Sequence, residues 1–378
     1  MKPSAISFNK YRAAIFSTMA AIFYGFNVLP LQAQLPTPSE IIENEPTESE
    51  DIDLETPLDV DPETDSLFNS WRRVRLVHTL PDHQSSINSL VFSPDSSILI
   101  TGGGSNDAQM RFWSVETGEP LTKIRAQSTA ILAMAIDPSS QFLVSGGEDS
   151  IINIWDWQSG EFRATLFDHN SSVTSLDIAP DGKTLVSGAA DGIKVWDLKS
   201  FPYNPLYTLS RFEAGANTIA ISPNGFLLAS GDTEGKVKFW NLRTGTFVSE
   251  FLPHQSLISG LAFTQDGKIL ITASHDRTIK LWDLESGQLL QELTGHTGAI
   301  RAIAIHPNGD ILATGGNDGI ILWNLPERRK LTRLRANTSW IQSLAFSPNG
   351  QYLASGGFDL EVRIWEDSLF EAEDETQN

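Results

Sequence analysis

The chain has 378 residues, of which 40% are hydrophobic and ten are tryptophan, so most of it can bury a core. Its formal net charge of −20 argues against a nucleic-acid partner. The absence of cysteine excludes disulfides, thiolate metal sites, a cysteine nucleophile and a lipid-bearing cysteine. The charge is uneven, because residues 40–65 contain twelve acids and no base and residues 366–378 add six acids. The body between them is only mildly acidic.

The chain begins with a basic segment followed by an apolar one. Three bases within residues 2–12 precede an uncharged run over 13–31. This order predicts a signal peptide or signal anchor over residues 1–33, with the rest of the chain exported to the periplasmic or lumenal side of a membrane. Cleavage after Ala33 and retention as an outward-facing anchor both stay open, because Leu31 is not the small residue preferred three positions before a cut.

An acidic segment follows. Residues 34–70 contain five prolines, many acids and few aromatics, a composition that cannot bury enough apolar surface to fold. We therefore predict a disordered linker there and a second acidic tail over 367–378. The acids of 59-DVDPETD-65 alternate as in a calcium loop, but Thr64 stands where the turn needs glycine and Ser70 where a bidentate glutamate belongs. No metal and no cofactor is predicted.

From residue 72 onwards the sequence repeats. Tryptophan recurs at intervals of 41 to 44 residues, and each of these tryptophans ends a segment of the type LITASHDRTIKLW. Short alternating apolar runs, separated by turn signals such as SPDS, APDG and HPNG, surround each one and predict four strands per unit. The repeating tryptophans are Trp113, Trp155, Trp196, Trp240, Trp282, Trp323 and Trp365.

These units resemble WD40 repeats, in which a Gly-His-like dipeptide opens the repeat and a Trp-Asp pair closes the third strand. Trp-Asp is literal in three units, at 155–156, 196–197 and 282–283. The resemblance covers 72–365 and implies an all-β fold, a seven-bladed β-propeller of four-stranded antiparallel blades over residues 71–366. The segment 73-RVRLVHTLPDH-83 matches the fourth strand of other units, and nothing after Trp365 does. The amino-terminal strand is therefore predicted to complete the last blade.

The resemblance also implies a buried hydrogen-bonded network in each blade. It links a histidine before the first strand, a threonine or serine on the second, an acid in the next turn and the indole N–H of the tryptophan. Four blades carry the full set: His83, Thr101, Asp107 and Trp113; His169, Ser187, Asp191 and Trp196; His254, Thr272, Asp276 and Trp282; and His296, Thr314, Asp318 and Trp323. Because each histidine belongs to a separate blade, a shared metal site is not predicted.

Four blade positions depart from the pattern. The histidine position holds Gln127 in the second blade, Arg211 or Phe212 in the fourth and Asn337 in the seventh, and the acid position of the fourth blade holds Glu234. The full network is not expected there. The first blade also has two extra residues in 102-GGGSND-107.

One stretch, 274-SHDRTIKLWD-283, places Ser274, His275 and Asp276 side by side, the residue types of a hydrolase triad. Consecutive residues point in diverging directions, whereas a triad needs a base within reach of the nucleophile and an acid behind the base. Asp276 also belongs to the implied network. We therefore predict no catalytic residue here and expect Ser274 and His275 at surface turn positions, where substitution changes stability little.

The resemblance predicts a partner-binding face around the central channel, formed by residues that flank the first residue of each first strand or precede the turn acid. Most of these residues are small and polar. Tryptophan and arginine, which dominate interface energies, occur there in the last two blades. The candidate partner-binding residues are Trp340, Phe358, Arg301, Gln342, Leu257 and His275. The alternative is that the aromatic side chains only cover their own blade.

Three classes of function remain open. The first is a non-catalytic, monomeric scaffold on the non-cytoplasmic side of a membrane, which binds a protein or peptide. It would contact the membrane only through an uncleaved amino terminus. This class fits the fold, the absence of a catalytic set, the export signal and the linker. An intracellular scaffold requires another role for the amino-terminal run. A propeller enzyme is the third class, for which no convergent acids or metal ligands can be assigned. The sequence does not identify the partner.

Overall fold

The computed structural model describes residues 71–137, 142–199, 203, 205–209, 215–334 and 339–367. These residues form 28 strands in seven antiparallel sheets of four. The predicted all-β, seven-bladed propeller is confirmed. The predicted signal segment 1–33, the linker 34–70 and the tail beyond residue 367 lie outside the described residues. Within the described part of the chain, no helix has the length and apolar character needed to cross a membrane.

Each blade begins with an inner strand at one edge of its sheet. The inner strand contacts the equivalent strands of both neighbouring blades, so the seven close a ring around a central channel. The inner strands are β2 (Ile87–Phe92), β6 (Ile131–Ile136), β10 (Val173–Ile178), β14 (Thr218–Ile221), β18 (Ile258–Phe263), β22 (Ile300–Ile305) and β26 (Ile341–Phe346).

The second and third strands form the middle of each sheet and carry most of the buried core. The second strands are β3 (Ile98–Gly103), β7 (Phe142–Gly147), β11 (Thr184–Ala189), β15 (Leu227–Gly231), β19 (Ile269–Ser274), β23 (Ile311–Gly316) and β27 (Tyr352–Gly357). The third strands, which end at or next to the repeating tryptophan, are β4 (Gln109–Ser114), β8 (Ile151–Asp156), β12 (Gly192–Asp197), β16 (Val237–Asn241), β20 (Ile279–Asp283), β24 (Gly319–Asn324) and β28 (Val362–Asp367).

The outer strand of each blade faces solvent. Six of these strands follow the third strand of their own blade: β5 (Pro120–Arg125), β9 (Phe162–Phe167), β13 (Pro205–Leu209), β17 (Thr246–Phe251), β21 (Leu289–Leu293) and β25 (Arg329–Leu334). The seventh is β1 (Val74–Leu80), which pairs with β28 from the other end of the chain. The predicted closure of the ring by the amino-terminal strand is therefore confirmed, and it covers a sheet edge that would otherwise be exposed.

Small residues on the second strands allow the blades to pack against each other. A Cβ atom added at Gly231 would lie 2.5 Å from the Cγ2 atom of Ile258, which begins the inner strand of the next blade. At Gly146 the same test gives 2.7 Å to the Cγ1 atom of Val173. A larger side chain at either position would push neighbouring blades apart. Gly102, Gly315 and Gly356 lie at the equivalent positions of other blades.

The propeller has two faces, which the inner strands connect. Each inner strand begins at one face, here called the top face, and ends at the other, the bottom face. Arg301 lies near the start of β22 and His306 follows its end, so the two are separated by roughly 17 Å of strand. This geometry assigns the residues that precede or begin the inner strands to the top face.

Trp71 anchors the start of the propeller at the bottom face. It is fully buried, and its ring packs edge-on against Phe346 and His306, with centroids 5.0 and 6.0 Å apart respectively. Its backbone amide donates to the carboxylate of Asp367 at 2.9 Å. Asp367 is the last residue of β28 and is itself buried. This carboxylate therefore caps the backbone where the described chain enters the propeller.

Candidate functional site

The fifth blade contains a complete hydrogen-bonded network. The indole Nε1 of Trp282 donates to the Oγ1 of Thr272 at 3.2 Å. The Nε2 of His254 lies 2.7 Å from the same hydroxyl, and its Nδ1 lies 2.8 Å from Asp276. With a neutral imidazole that carries its proton on Nδ1, the indole donates to the hydroxyl, the hydroxyl to Nε2 and Nδ1 to the carboxylate, so the three contacts of this network form a continuous series of hydrogen bonds.

The same three contacts, at 2.7 to 3.1 Å, recur in the other predicted sets. These sets are His83, Thr101, Asp107 and Trp113; His169, Ser187, Asp191 and Trp196; and His296, Thr314, Asp318 and Trp323. In the first blade the extra residues fold into a tight loop, with the Asp107 amide donating to the Gly104 carbonyl at 2.8 Å. Arg111 adds an ion pair to Asp107 at 2.6 Å.

Burial lowers the pKa of all four network histidines and so favours their neutral form. The pKa values of the four network acids are lowered, although desolvation alone would raise them. Burial raises the pKa of the Asp276 carboxyl, but hydrogen bonds from Thr278 and His254 outweigh this effect, and the pKa is lowered. The network therefore pairs a neutral base with an ionised acid at neutral pH.

The second blade replaces the histidine by an amide. The Nε2 of Gln127 donates to the carbonyl and hydroxyl of Ser145, at 2.8 and 3.2 Å. That hydroxyl accepts the Trp155 indole at 3.1 Å. Asp149 instead accepts from the amide and hydroxyl of Ser128, at 2.8 and 2.7 Å. Gln127 thus keeps the hydroxyl contact of the histidine but does not bridge to the acid.

In the fourth blade, where the full network is not expected, the turn is fixed by an acid other than Glu234. Ser230 accepts the Trp240 indole at 3.1 Å. In the turn that follows, Asp232 accepts the backbone amides of Glu234 and Lys236, each at 2.9 Å. Asp232, rather than Glu234, is therefore the acid that fixes this turn. The histidine positions of this blade and of the seventh, at 211–212 and 337, lie outside the described residues.

Ser274 differs from the expectation of a surface turn position, whereas His275 lies in the turn that follows and is partly exposed. Ser274 ends strand β19 and is fully buried. Its hydroxyl donates to the Ser256 carbonyl and accepts the Asp276 amide, both at 3.1 Å. His275 lines a cavity at the top face. The three consecutive side chains thus have different partners and do not assemble a triad.

Inside a blade, a hydroxyl, an imidazole and a carboxylate do follow each other in the order of a hydrolase triad. In the fifth blade these groups belong to Thr272, His254 and Asp276. The threonine is fully buried and its oxygen already accepts a tryptophan N–H, so a substrate could not reach it. Among the described residues, no group of three or more metal-ligating side chains is close enough to hold an ion.

A cavity of about 310 Å³ opens at the top face, at the mouth of the channel. In six blades the pairing of the inner and second strands skips one residue directly after the first pair. This bulge frees that residue from the ladder. The bulged residues and their equivalent in the fourth blade all line the cavity: Asn88, Leu132, Thr174, Asn217, Ser259, Arg301 and Gln342.

Four of these side chains link their blade to the next one. Each donates to a backbone carbonyl at or next to the start of the neighbouring inner strand, at 2.6 to 3.0 Å. The four donors are Asn88, Thr174, Asn217 and Ser259. Sequence reasoning missed this role, although polar residues at a fixed repeat position were the available signal. Between the sixth and seventh blades the contact is different, because Arg301 occupies this position and donates to the Gln342 side chain rather than to a backbone carbonyl.

Arg301 lies among the other candidate binding residues. Its guanidinium carbon is 4.3 Å from the centre of the Trp340 ring, and its Nη1 donates to the Oε1 of Gln342 at 3.3 Å. His275 and Leu257 line the same cavity, and the His275 amide donates to the Leu257 carbonyl at 3.1 Å. Burial, and then the charge of Arg301, lower the pKa of His275.

Phe358 lies beside this group, outside the cavity lining. Its backbone amide donates to the Trp340 carbonyl at 3.0 Å, and its side chain is 49% exposed. The structure therefore brings all six candidates into one region of the top face, here called the Arg301 patch: Arg301, Gln342, Trp340, Phe358, Leu257 and His275. The aromatic, cationic and amide groups together suit contact with a polypeptide.

A second missed residue is Asp177 on the inner strand β10. Its Oδ2 accepts the Ile221 amide of the next blade at 2.8 Å, and burial raises its pKa to about 7. Valine or alanine occupies the equivalent position of the other six inner strands. Comparison of the repeats could therefore have revealed it.

Comparisons with known proteins agree with this architecture. The WD40 family model, described as WD domain, G-beta repeat, matches seven segments: 74–114, 118–156, 160–197, 203–241, 245–283, 287–324 and 328–366. Autophagy-related protein 16 of Arabidopsis thaliana is 26% identical over 205 residues, or 53% of this chain and 39% of that protein.

Two further relatives are similar over shorter segments. Pre-mRNA-processing factor 19 of Bos taurus is 28% identical over 192 residues, or 50% of this chain and 29% of that protein. Ribosome assembly protein 4 of Chaetomium thermophilum is 32% identical over 91 residues, or 24% of this chain and 17% of that protein. This chain therefore matches well under half the length of each relative.

Proposed function

This chain belongs to the WD40 family of β-propeller proteins, and from that premise we propose that it is a non-catalytic scaffold that binds a protein or peptide at the Arg301 patch. The three relatives are named for autophagy, ribosome assembly and pre-mRNA processing. These names share no single pathway, so they support a role in binding rather than in a particular process.

The observation that carries the proposal is the composition of the patch. Trp340 and Phe358 place two aromatic side chains next to Arg301, at the edge of a cavity rather than over a closed core. Residues of these types account for most of the binding energy in protein interfaces when they are desolvated by a partner. Most of the remaining channel positions hold small or polar side chains, which can surround such a contact without contributing much energy.

We also propose that the propeller acts on the far side of a membrane, as an exported or membrane-anchored protein. The basic and then apolar order of residues 2–31 supports this location. Trp71 contacts His306, at the end of β22 opposite to Arg301. A propeller attached through its amino terminus would therefore have the attachment point at the bottom face and the patch at the other.

Affinity capture with the full chain tests the binding proposal. The wild type, Trp340→Ala and the opposite-face variant Gln265→Ala are compared in extracts of the source cells. Gln265 is exposed in the loop after β18. We expect the same set of captured proteins for the wild type and Gln265→Ala and a loss of about tenfold or more for Trp340→Ala. Equal capture by all three proteins would refute a binding role for the patch.

A further inference from the structure

Arg301 carries a charge for which the described residues around it provide no counter-ion. The Nε atom is closed to solvent and has no hydrogen-bond partner among the described residues. The Nη1 atom donates only to the neutral amide of Gln342, at a long 3.3 Å. Burial lowers the pKa of Arg301, but a guanidinium group stays charged in proteins. Leaving such donors unpaired is costly, which points to an acceptor that comes from outside the chain.

The cavity next to Arg301 contains no acid. Its other lining residues are neutral: asparagines, threonines, serines, leucines, Gln342 and His275. The pKa of His275 is lowered by burial and by the charge of Arg301, so its imidazole is neutral at pH 7 and can donate a hydrogen bond. The cavity therefore offers one positive charge and several neutral polar groups to a ligand.

We propose that Arg301 binds a single carboxylate, the side chain of an aspartate or glutamate in the peptide segment that docks on the Arg301 patch. This inference rests on the proposed function and names the chemistry of its partner. Because Nη1 is held by Gln342, the edge formed by Nε and Nη2 is left for the ligand. That edge matches the two oxygens of a carboxylate. Because Nε is closed to solvent, binding requires the guanidinium group to turn so that this edge faces the cavity.

The charges favour one carboxylate over a phosphate or a run of acids. A phosphorylated side chain carries about −1.5 to −2 charges at pH 7 and is commonly held by several cationic groups, whereas among the described residues that line the cavity Arg301 is the one cation. The net charge of −20 on the whole chain also repels a strongly acidic partner at long range. We therefore expect the partner to present one acidic side chain to Arg301 within a segment that is not strongly acidic as a whole.

The surroundings favour a peptide over a free anion. Trp340 covers one side of the guanidinium group at 4.3 Å, Leu257 lines the cavity, and Phe358 adds an exposed aromatic side chain next to Trp340. A free anion would leave these surfaces uncovered. A side chain attached to a backbone covers them while its carboxylate reaches Arg301.

The test follows the Nε–H resonance of Arg301 in the full chain labelled with ¹⁵N-arginine, assigned by its absence in Arg301→Lys. The probe is N-acetylglutamate α-amide, which has one side-chain carboxylate, and the matched control is N-acetylglutamine α-amide. We expect the acid to shift the resonance with a dissociation constant on the order of millimolar and the amide to leave it in place. An unmoved resonance, or equal shifts with both compounds, would overturn the proposal.

Two further arms identify the source of the carboxylate. Sodium acetate is titrated in the same way, and we expect it to bind about tenfold or more weakly, because it lacks the backbone that contacts the apolar surface. Equal binding of acetate would overturn the peptide as its source. In Trp340→Ala, which keeps Arg301, we expect weaker binding of the glutamate compound and unchanged binding of acetate. Equal affinity of the glutamate compound for this variant and for the wild type would also overturn the peptide source.

The outcome separates this inference from the proposed function. If the resonance does not move but capture of partner proteins still depends on Trp340, the patch binds proteins without a carboxylate contact, and only this inference fails. If the resonance moves with the glutamate compound but capture is independent of Trp340, the carboxylate site stands and the docking of proteins at the patch fails.

Discussion

The backbone amide of Trp71 donates to the carboxylate of Asp367 at 2.9 Å, although 296 residues separate the two. The contact lies where β1 pairs with β28, so it joins the first and last described residues of the propeller. The Trp71 side chain is buried against Phe346 and His306, which belong to the last two blades. Ring closure therefore depends on an anchor at the bottom face as well as on strand pairing.

Trp71→Ala is expected to destabilise the propeller by about 3–5 kcal/mol, because it removes a fully buried indole and leaves a cavity between two blades. The matched control is Arg72→Ala, since the neighbouring side chain is exposed and its removal should change stability by less than about 0.5 kcal/mol. Urea denaturation of the full chain measures both. Equal midpoints for the two variants would contradict the anchoring role of Trp71.

Asp276→Ala is expected to cost about 1–3 kcal/mol, because His254 loses the acceptor of its Nδ1 proton inside the blade. The Trp282 indole keeps its acceptor, Thr272, and should not contribute to the loss. The control is Glu285→Ala, which changes an exposed acid of the same blade. Thermal melting distinguishes the variants, and a wild-type melting temperature for Asp276→Ala would show that the network is not stabilising.

Ser274→Ala should also be destabilising, by roughly 1–2 kcal/mol, because the buried hydroxyl bridges the Ser256 carbonyl and the Asp276 amide. His275→Ala should change stability by less than about 1 kcal/mol, because its side chain faces the cavity rather than the core. The same melting experiment compares the two. A larger loss for His275→Ala than for Ser274→Ala would show that the assignment of the buried residue is wrong.

Asp177→Asn should change how stability depends on pH. The carboxyl has a pKa of about 7 in the folded chain against an ordinary value of 3.8. Between these values the folded chain holds a proton that the unfolded chain has released, so the contribution of Asp177 to stability falls as the pH rises through this window. Asparagine does not titrate and still accepts the Ile221 amide.

The free energy of unfolding of both proteins is measured at about pH 5 and about pH 7.5. We expect Asp177→Asn to gain about 2–3 kcal/mol relative to the wild type between the two conditions, because the wild type alone loses stability there, by roughly 1.4 kcal/mol per pH unit up to the folded-state pKa. The network histidines titrate in both proteins and cancel in the difference. An identical pH dependence in the two proteins would contradict a raised pKa.

Export predicts a location for the carboxyl terminus. A reporter that is active only outside the cytoplasm, fused after Asn378, should be active in the wild type. Replacement of Ile15, Phe16, Ile22 and Phe23 by charged residues should silence it, because each charge near the centre of such a segment costs roughly 2.5–3.5 kcal/mol. Equal reporter activity in the two fusions would refute the proposed targeting segment.

The repeating features of the propeller could be predicted because they recur. The recurring tryptophan and the number of repeats follow from a period of about 42 residues, and the seven blades with their strand order follow from the resemblance to WD40 repeats. The position of β1 in the last blade also followed, because 73–83 matches the fourth strand of other repeats. In the same way, the histidine, hydroxyl and acid of four blades occupy fixed places in the period and form the expected bonds.

The features that do not repeat could not be predicted in this way. Trp71 precedes the first repeat and is buried only because blades far apart in sequence meet around it. Asp232 replaces Glu234 because the turn of the fourth blade is fixed by hydrogen bonds to the backbone rather than by sequence position. Ser274 lies inside β19, one residue before the turn. The unpaired Nε of Arg301 depends on the exact packing of Trp340 and Gln342.

Site-specific photo-crosslinking in living cells tests the binding face most directly. A photoreactive residue replaces either Phe358 in the Arg301 patch or Gln265 on the bottom face of the full chain, each with and without Trp340→Ala. The account predicts protein adducts from position 358 that are lost in Trp340→Ala, and few adducts from position 265. Equal or stronger crosslinking from position 265, or adducts at 358 that are unaffected by Trp340→Ala, would contradict the top face as the site of partner binding.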